Sequence, residues 1–325
     1  MSEREEDTVE ATRPERTALR VGRVSFVFER TLRIPDDGRV YPLPPGLGEF
    51  PIKRVRDYAR RVPADWRERG GYFIPMYQRE ALWIYFDAPF WRPNAVKVGV
   101  GGVNAVSGQP WDTQLRQSPQ DYLVVPDQPW LDGINAGDGF IRQFVAMPLG
   151  SGYTVEGQVT GAETEGGIQL VVVEPKPGRF PDRPPRAMRG WHARCATGCV
   201  LEAPGDAMGL GAGGRMRQEI YPDEYGIETW DLGRSRTVNV RIVNSEVYRE
   251  ITGEAPPPTP VSARTYTEYG FPWFDLYDEG RGDVAPSPVL AGVKSVSAID
   301  GEKGGGPQAV DAPVGVPPWQ VITLG

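Results

Sequence analysis

Short runs of β-branched and aromatic residues alternate with Gly, Pro and Asp turn signals along most of this chain. The alternation is densest in Tyr122–Gly161, YLVVPDQPWLDGINAGDGFIRQFVAMPLGSGYTVEGQVTG. The 40 Gly and 33 Pro residues among 325 are roughly twice the usual share of these residue types. Because Gly and Pro both interrupt helices, this spacing favours many short strands joined by turns over a fold of long helices.

Individual runs predict particular elements. Ala81–Phe86 and Phe140–Leu149 are short and apolar, which is typical of buried strands. Tyr153–Val159 alternates apolar with polar residues, which predicts a strand with one buried face. Apolar residues recur every three or four positions in Pro51–Val62, and this spacing predicts an amphipathic helix. The glycine-rich run Met208–Arg215 predicts a loop that leads into a strand.

The C-terminal third of the chain contains two further helix patterns. SEVYREITG begins with a capping-type residue, Ser245, and ends at Gly253, so it predicts a short helix. SARTYTEYG, which begins at Ser262, predicts a second one. The last residues, Trp319–Leu324, are predicted to add one strand to the structure.

Composition divides the chain into three parts. Residues 1–17 are charged and nearly free of large apolar groups, so we expect a disordered arm. Residues 18–253 carry the strand patterns, and they predict a β-sandwich-like body with a few short helices. Residues 254–325 form an extended C-terminal segment, rich in Pro, Gly and aromatic residues, which we expect to pack on the body. The predicted fold class is therefore mostly β (α+β).

Charge and cysteine content limit the class of protein. A net charge of −7 argues against general binding to nucleic acid or to anionic membranes, both of which require a basic face. No apolar run approaches the roughly 18 residues that a membrane-spanning helix needs, and the N-terminal residues lack the apolar core of a secretory signal. Two cysteines are too few for a secreted disulfide scaffold. We therefore expect a soluble, cytoplasmic protein.

Several runs resemble those of a family of uncharacterised microbial proteins. The main ones are PWLDGI at Pro129–Ile134, RQFVAMPLG at Arg142–Gly150 and FPWFDLYD at Phe271–Asp278. Shorter ones are YPLPPG at Tyr41–Gly46, MYQREA at Met76–Ala81 and QEIY at Gln218–Tyr221. The likeness spans most of residues 30–300. It implies one shared architecture, and it carries no activity or residue roles.

The central stretch also gathers polar and aromatic side chains that are suited to binding. Trp130, Asp132 and Arg142 fall within about one strand-turn-strand unit, so we take them as candidate binding residues. Two carboxylates a few ångströms apart can carry out general acid–base chemistry, as in glycoside hydrolysis. The acidic residues of this region that could form such a pair are Asp127, Asp132, Asp138 and Glu156. Exposed turn residues are the simpler interpretation, because Asp favours turns.

The segment Arg179–Arg194 is strongly basic within an acidic chain. It holds five arginines against a single acidic residue. We take Arg183, Arg186 and Arg189 as candidates for a charge-directed contact. A solvated loop is the simplest interpretation of this segment. Among its binding interpretations, an acidic protein surface is favoured over nucleic acid, because the chain as a whole is acidic.

One short cluster contains the only histidine and both cysteines of the chain. His192, Cys195 and Cys199 can supply three ligands of a zinc site, for which a carboxylate or water would have to be the fourth. Usual zinc motifs, however, contain two close pairs of ligands, whereas this chain has a single cluster. A redox-active thiol pair is a second interpretation, and ordinary loop or core residues are a third.

The glycine-rich run Met208–Arg215 invites comparison with phosphate-binding loops. Such loops follow a strand and precede a helix whose N-terminus holds the anion, or they end in Lys followed by Ser or Thr. Here a strand pattern follows the glycines, and the run contains no Lys. A turn or a close crossing of two backbone segments is therefore the favoured interpretation.

The sequence has no catalytic constellation and no cofactor signature, so it favours a non-enzymatic role without a cofactor. The first hypothesis is a binding or assembly protein that acts through protein–protein contacts, with self-association as one form of assembly. A carbohydrate-binding or carbohydrate-processing β-sandwich is the first alternative, because nine Trp residues exceed what a core alone requires. A metal or redox protein that uses His192, Cys195 and Cys199 is the second alternative.

Overall fold

The computed structural model describes residues 9–12, 17–184, 207–259, 261–276, 281–306 and 308–324. Strands account for 38% of the structure and helices for 18%, which confirms the mostly β (α+β) class. None of the helices in these ranges is long and apolar enough to cross a membrane.

The elements are short and follow one another closely. The first ten strands are β1 (Val9–Thr12), β2 (Ala18–Val21), β3 (Val24–Thr31), β4 (Val40–Tyr41), β5 (Gly46–Glu49), β6 (Lys53–Arg54), β7 (Tyr72–Met76), β8 (Ala81–Asp87), β9 (Asn94–Val100) and β10 (Val103–Asn104). The others are β11 (Leu123–Val125), β12 (Trp130–Leu131), β13 (Gly133–Gly137), β14 (Phe140–Pro148), β15 (Ile168–Pro175), β16 (Ala207–Arg217), β17 (Trp230–Asn244), β18 (Trp273–Leu276) and β19 (Val321–Leu324).

The helices are shorter still. The α-helices are α1 (Ala64–Arg69), α2 (Val155–Thr160), α3 (Ser245–Thr252), α4 (Ala263–Glu268), α5 (Pro288–Ala291) and α6 (Val296–Glu302). Single 3-10 turns cover Val55–Tyr58, Ile227–Thr229, Ala309–Asp311 and Pro318–Gln320. The predicted helices at Ser245 and Ser262 are confirmed as α3 and α4, and the predicted final strand is confirmed as β19.

Strands β1 to β17 belong to one hydrogen-bonded network with two halves. In one half the neighbours run β11, β9, β15, β17, β7 and β6. In the other half they run β16, β14, β8, β3, β2 and β1. The two halves meet at a corner where β16 pairs with β17, Ala207 opposite Val243 and Met208 opposite Ile242. Most pairs are antiparallel, whereas β7 runs parallel to β17 and β4 runs parallel to β16.

The inner faces of the two halves form one core, which confirms the sandwich-like body. Phe26 and Ile84 of one half belong to the same cluster of buried side chains as Val98 and Leu170 of the other. Alternate residues of the longer strands β3, β8 and β9 belong to this cluster, as expected for pleated strands. The remaining residues are also buried in many strands, because short helices and loops cover the outer faces.

The C-terminal extension packs against the body. Trp273 and Val314 of the extension lie in one buried cluster with Leu32, Ile34 and Ile141 of the body. The two-stranded parallel sheet of β18 and β19 belongs to this extension. At the other end of the chain, Val9–Thr12 forms β1 and pairs with β2, although this stretch was expected to lie in a disordered arm.

The amphipathic helix predicted over Pro51–Val62 is wrong. Lys53 and Arg54 instead form β6, which pairs with β7, and only a 3-10 turn follows at Val55–Tyr58. The α-helix of this region begins after Pro63, which is its N-cap residue. Pairing with a neighbouring strand therefore outweighs the helical spacing of the apolar residues. This tertiary contact cannot be predicted from the local sequence pattern.

The strand predicted over Tyr153–Val159 is also wrong, because α2 occupies Val155–Thr160. Thr154 caps this helix: its hydroxyl accepts a hydrogen bond of 3.0 Å from the backbone N–H of Gly157. Gly161 ends the helix in the left-handed conformation. A good N-cap and a terminal glycine decide in favour of the helix over only six residues, where alternation is a weak signal.

The glycine-rich run Met208–Arg215 is a buried strand within β16 and not the loop that its composition predicted. Its glycines allow other segments to approach closely, as the alternative of a backbone crossing required. A Cβ atom at Gly214 would lie 2.2 Å from the carbonyl oxygen of Pro35, and one at Gly209 would lie 2.8 Å from Cγ2 of Thr154. A larger residue at Gly214 would require movement of the backbone, whereas one at Gly209 would require the side chains of Thr154 and Leu149 to move.

Buried glutamines hold loop segments to the sheet. The side chain of Gln143 donates a hydrogen bond of 2.9 Å to the carbonyl oxygen of Leu32 and accepts one of 3.1 Å from the N–H of Ile34. One amide group thus satisfies backbone groups that no strand pairs. Similar contacts with backbone groups are made by Gln120, Gln128, Gln169, Gln218 and Gln320.

Candidate functional site

Trp130 and Asp132, two of the predicted binding residues, have different surroundings. Trp130 is half-buried, and its ring packs edge to face on Trp83 with centroids 6.0 Å apart. Asp132 is buried, and its carboxylate accepts a hydrogen bond of 2.7 Å from the side chain of Gln218. Burial raises the pKa of Asp132 to about 7, although the bond from Gln218 acts in the opposite direction. Asp132 therefore forms a buried contact with Gln218 and does not lie on a binding surface.

The predicted arginines are also distributed over separate places. Arg142 lies 3.7 Å from a carboxylate oxygen of Asp36, in a partly buried ion pair. Arg183 is exposed on the chain surface. The remaining candidates lie outside the described residues, namely Arg186, Arg189, His192, Cys195 and Cys199. In the ranges that the structure does describe, no group of three or more His, Cys, Asp or Glu side chains is arranged to hold a metal ion.

The acid pair that was considered as an alternative for the central stretch is not found there. The carboxylate of Glu156 accepts three hydrogen bonds from backbone N–H groups, those of Thr164, Glu165 and Gly166, so it closes the loop after α2. Asp127 instead accepts a bond of 3.2 Å from the hydroxyl of Tyr225. These carboxylates have structural partners and do not face one another.

A different pair of carboxylates faces across two neighbouring strands. Glu29 of β3 stands directly opposite Glu49 of β5 in the antiparallel register. Like charges at such positions destabilise a sheet. Burial, and after it the charge of Glu49, raise the pKa of Glu29 to about 7. The described part of the chain offers the Glu29 carboxylate no hydrogen-bond donor, so it is a half-buried acid that changes charge near neutral pH.

Aromatic side chains lie beside this acid pair on the same face of the sheet. Trp83 stands opposite Glu29 in the register of β3 and β8. Its ring contacts Tyr85 as well as Trp130, with the Tyr85 centroid at 6.3 Å. Glu49 also lines a cleft of about 700 Å³ whose wall includes Tyr58. This volume lies in the range of small-molecule sites.

Sequence reasoning named Trp130 as a candidate binding residue, which stays a prediction, and it did not single out Glu29 or Glu49. Only the strand register brings these two carboxylates together, and register cannot be read from residues that are separated by a turn of irregular length. The one local signal was the alternation VSFVFERT in β3, which places Glu29 on the face opposite to Phe26 and Phe28.

The two most exposed aromatic residues of the described chain, Tyr269 and Trp319, lie on the C-terminal extension. Tyr269, Phe271 and Trp319 are 73%, 50% and 73% exposed, and we name them the aromatic ridge. The rings of Tyr269 and Phe271 are 6.1 Å apart. A Cβ atom at Gly270 would lie only 3.6 Å from the Trp319 ring, so the three residues form one continuous surface.

Hydrogen bonds below the aromatic ridge fix its two segments to each other. The buried side chain of Gln320 donates to the carbonyl oxygens of Thr267 and Phe271, at 3.0 and 3.1 Å. A groove of about 250 Å³ runs beside the ridge. Its lining combines apolar Pro313, Val314 and Pro317 with charged Arg264 and Glu268. The ridge is therefore a pre-formed apolar surface with polar groups near it.

Comparison with known proteins gives no family to which these features can be referred. No family model, no curated protein sequence and no solved structure matches the chain.

Proposed function

We propose that this chain is a non-catalytic binding or assembly protein that acts through protein–protein contacts at the aromatic ridge. The observation that carries the proposal is the exposure of Tyr269, Phe271 and Trp319 on one continuous surface. Contiguous apolar patches of a few hundred Å² on a protein surface are often contact sites. Tyr and Trp are also the residues that dominate binding energy in protein interfaces.

The construction of the ridge supports this role. Gln320 holds both of its segments in place, so little conformational entropy is lost when a partner binds. The polar groups of Arg264 and Glu268 lie beside the apolar rings, as in an interface with a polar rim. A cytoplasmic location, expected from the low cysteine content, is part of the same proposal.

Site-specific photo-cross-linking tests the proposed function. A photoreactive phenylalanine derivative is placed at Tyr269 or Trp319 and, as a matched control, at Phe90, an exposed aromatic residue of the body. We expect protein cross-links in native cell extract from the two ridge positions and only background from Phe90. Equal yields at all three positions, or none at the ridge, would contradict the proposal.

A second candidate function is the binding or processing of carbohydrate at Glu29 and Glu49. Its support is specific: two facing carboxylates, one with its pKa raised to about 7, lie beside Trp83 and Tyr85. Glycoside hydrolysis uses such a pair, with the raised pKa on the acid, and aromatic rings bind the apolar faces of sugars.

Affinity electrophoresis in gels that contain soluble polysaccharides tests this second function. We expect retardation of the wild-type chain in at least one gel, weaker retardation after Tyr85→Ala, and no change after Phe90→Ala. If the sugar is also cleaved, Glu29→Gln is expected to abolish cleavage while retardation persists. Migration that no polysaccharide alters would remove this candidate.

A further inference from the structure

The aromatic ridge continues into an open strand edge. Trp319 lies two residues before β19, which pairs in parallel with β18 from Trp273 opposite Val321 to Leu276 opposite Leu324. The far edge of β18 is bridged to Leu43 of the body by two backbone hydrogen bonds. In the part of the chain that the structure describes, no strand pairs with the far edge of β19.

This edge is only four residues long, but it lacks charged side chains, Pro and bulges. Proteins protect such edges with charged side chains, Pro or bulges. The strand itself reads VITL, without charge or Pro, and residues 316–324 contain no charged side chain at all. Ile322 is 46% exposed although it is apolar. The strand can therefore accept another one without a charged group being buried.

We propose that a second copy of this chain occupies this edge, with the two β19 strands antiparallel about a twofold axis. The result is a four-stranded sheet in the order β18, β19, β19, β18, flanked by the two aromatic ridges. The inference rests on the proposed function and names the partner. An uncharged strand suits its own copy, because antiparallel self-pairing places no like charges opposite each other.

The area available fits a weak dimer. At about 200 Å² for each aromatic side chain, the exposed parts of the three ridge residues amount to roughly 400 Å² per copy. The ridges of two copies, together with the paired strands, then reach the roughly 1,000 Å² that a specific interface needs. We therefore expect a dimer that dissociates on dilution.

Sedimentation equilibrium over a wide range of protein concentration tests the inference. The wild-type chain is expected to shift from monomer toward dimer as concentration rises. Ile322→Lys places a charge on the edge and is expected to raise the dissociation constant at least about tenfold, the equivalent of 1.4 kcal/mol. Leu232→Lys, at a residue of β17 that is 41% exposed, is the matched control and is expected to change nothing.

Each outcome of this experiment decides the inference. Unfolding midpoints of both variants are measured in parallel, so that a loss of dimer through misfolding is recognised. Trp319→Ala, at the aromatic ridge, then serves as a second interface variant. A wild-type monomer at every concentration, or a dimer that Ile322→Lys and Trp319→Ala leave unchanged, would overturn it. If the chain sediments as a monomer but the ridge positions cross-link to a different protein, self-pairing is overturned and the proposed function still stands.

Discussion

Arg79 and Asp300 are 221 positions apart in the chain and form two hydrogen bonds, of 2.7 and 2.8 Å, between guanidinium and carboxylate. Tyr153 donates a further bond of 2.7 Å to the same carboxylate. Arg79 has a positive φ of 69°, an uncommon backbone conformation for a residue other than glycine. The body therefore holds this arginine in a strained position from which it anchors α6 of the C-terminal extension.

Removal of the Asp300 charge is expected to loosen the extension. Asp300→Asn leaves Arg79 with a weaker partner, so we expect the free energy of unfolding to fall by about 1–3 kcal/mol. Urea denaturation measures the change. The exposed pair of Lys294 and Glu302 provides the control, since Glu302→Gln at that pair is expected to cost less than about 1 kcal/mol. Equal losses for the two variants would contradict an anchoring role for Asp300.

The buried carboxyl group of Asp132 makes stability depend on pH. Its pKa is about 7 in the folded chain and 3.8 ordinarily, so the folded state holds a proton that the unfolded state releases. Stability from this group is therefore lost as pH rises from about 4 to 7. Relative to the wild type, Asp132→Asn is expected to gain roughly 1.4 kcal/mol per pH unit across this range. Denaturation at several pH values checks it, and a pH-independent difference would contradict it.

The facing carboxylates of Glu29 and Glu49 are expected to titrate as an interacting pair. Carbon-13 NMR of glutamate-labelled protein should show Glu29 titrating near pH 7. Glu49→Gln removes the like charge and is expected to lower the pKa of Glu29, whereas Glu246→Gln, on helix α3, is expected to leave it unchanged. A pKa of Glu29 that Glu49→Gln does not lower would show that the two groups do not interact.

Gly214 is expected to tolerate no side chain. A Cβ atom there would lie 2.2 Å from the backbone oxygen of Pro35, so Gly214→Ala is expected to destabilise the chain by about 1–3 kcal/mol or more. Gly233, a strand glycine whose added Cβ would meet nothing closer than 3.4 Å, is the matched control. Gly233→Ala is expected to change stability by less than about 1 kcal/mol. Thermal unfolding of both variants distinguishes a tight crossing from a general preference for glycine.

Elements with a strong local pattern could be predicted from the sequence. Ala81–Phe86 was predicted as a buried strand because β-forming apolar residues and flanking polar ones coincide there, and β8 confirms it. Phe140–Leu149 was predicted on similar grounds and is confirmed as β14. The glycine-rich part of β16 could not be predicted as a strand. Its glycines are needed because Pro35 and Thr154 pack closely against them, and only the folded chain brings these residues near.

For the candidate sites, too, single residues could be named from the local sequence, but their partners could not. Trp130 was predicted from its place in a turn-rich stretch, yet its partner Trp83 comes from another strand. Glu29 and Glu49 face each other through strand register alone. Phe271 and Trp319 lie far apart in the sequence, and the contacts that join their segments come from Gln320, a residue without any distinguishing local pattern.

Strand β17 contributes to both halves of the network, because its 15 residues pair with β7, β15 and β16. During synthesis, the apolar strands made earlier must wait for residue 244 before the corner can close. A ribosome that stalls before this point would leave an incomplete sheet with exposed apolar residues and unpaired strand edges. The nascent chain is therefore expected to depend on chaperones until three quarters of it has been translated.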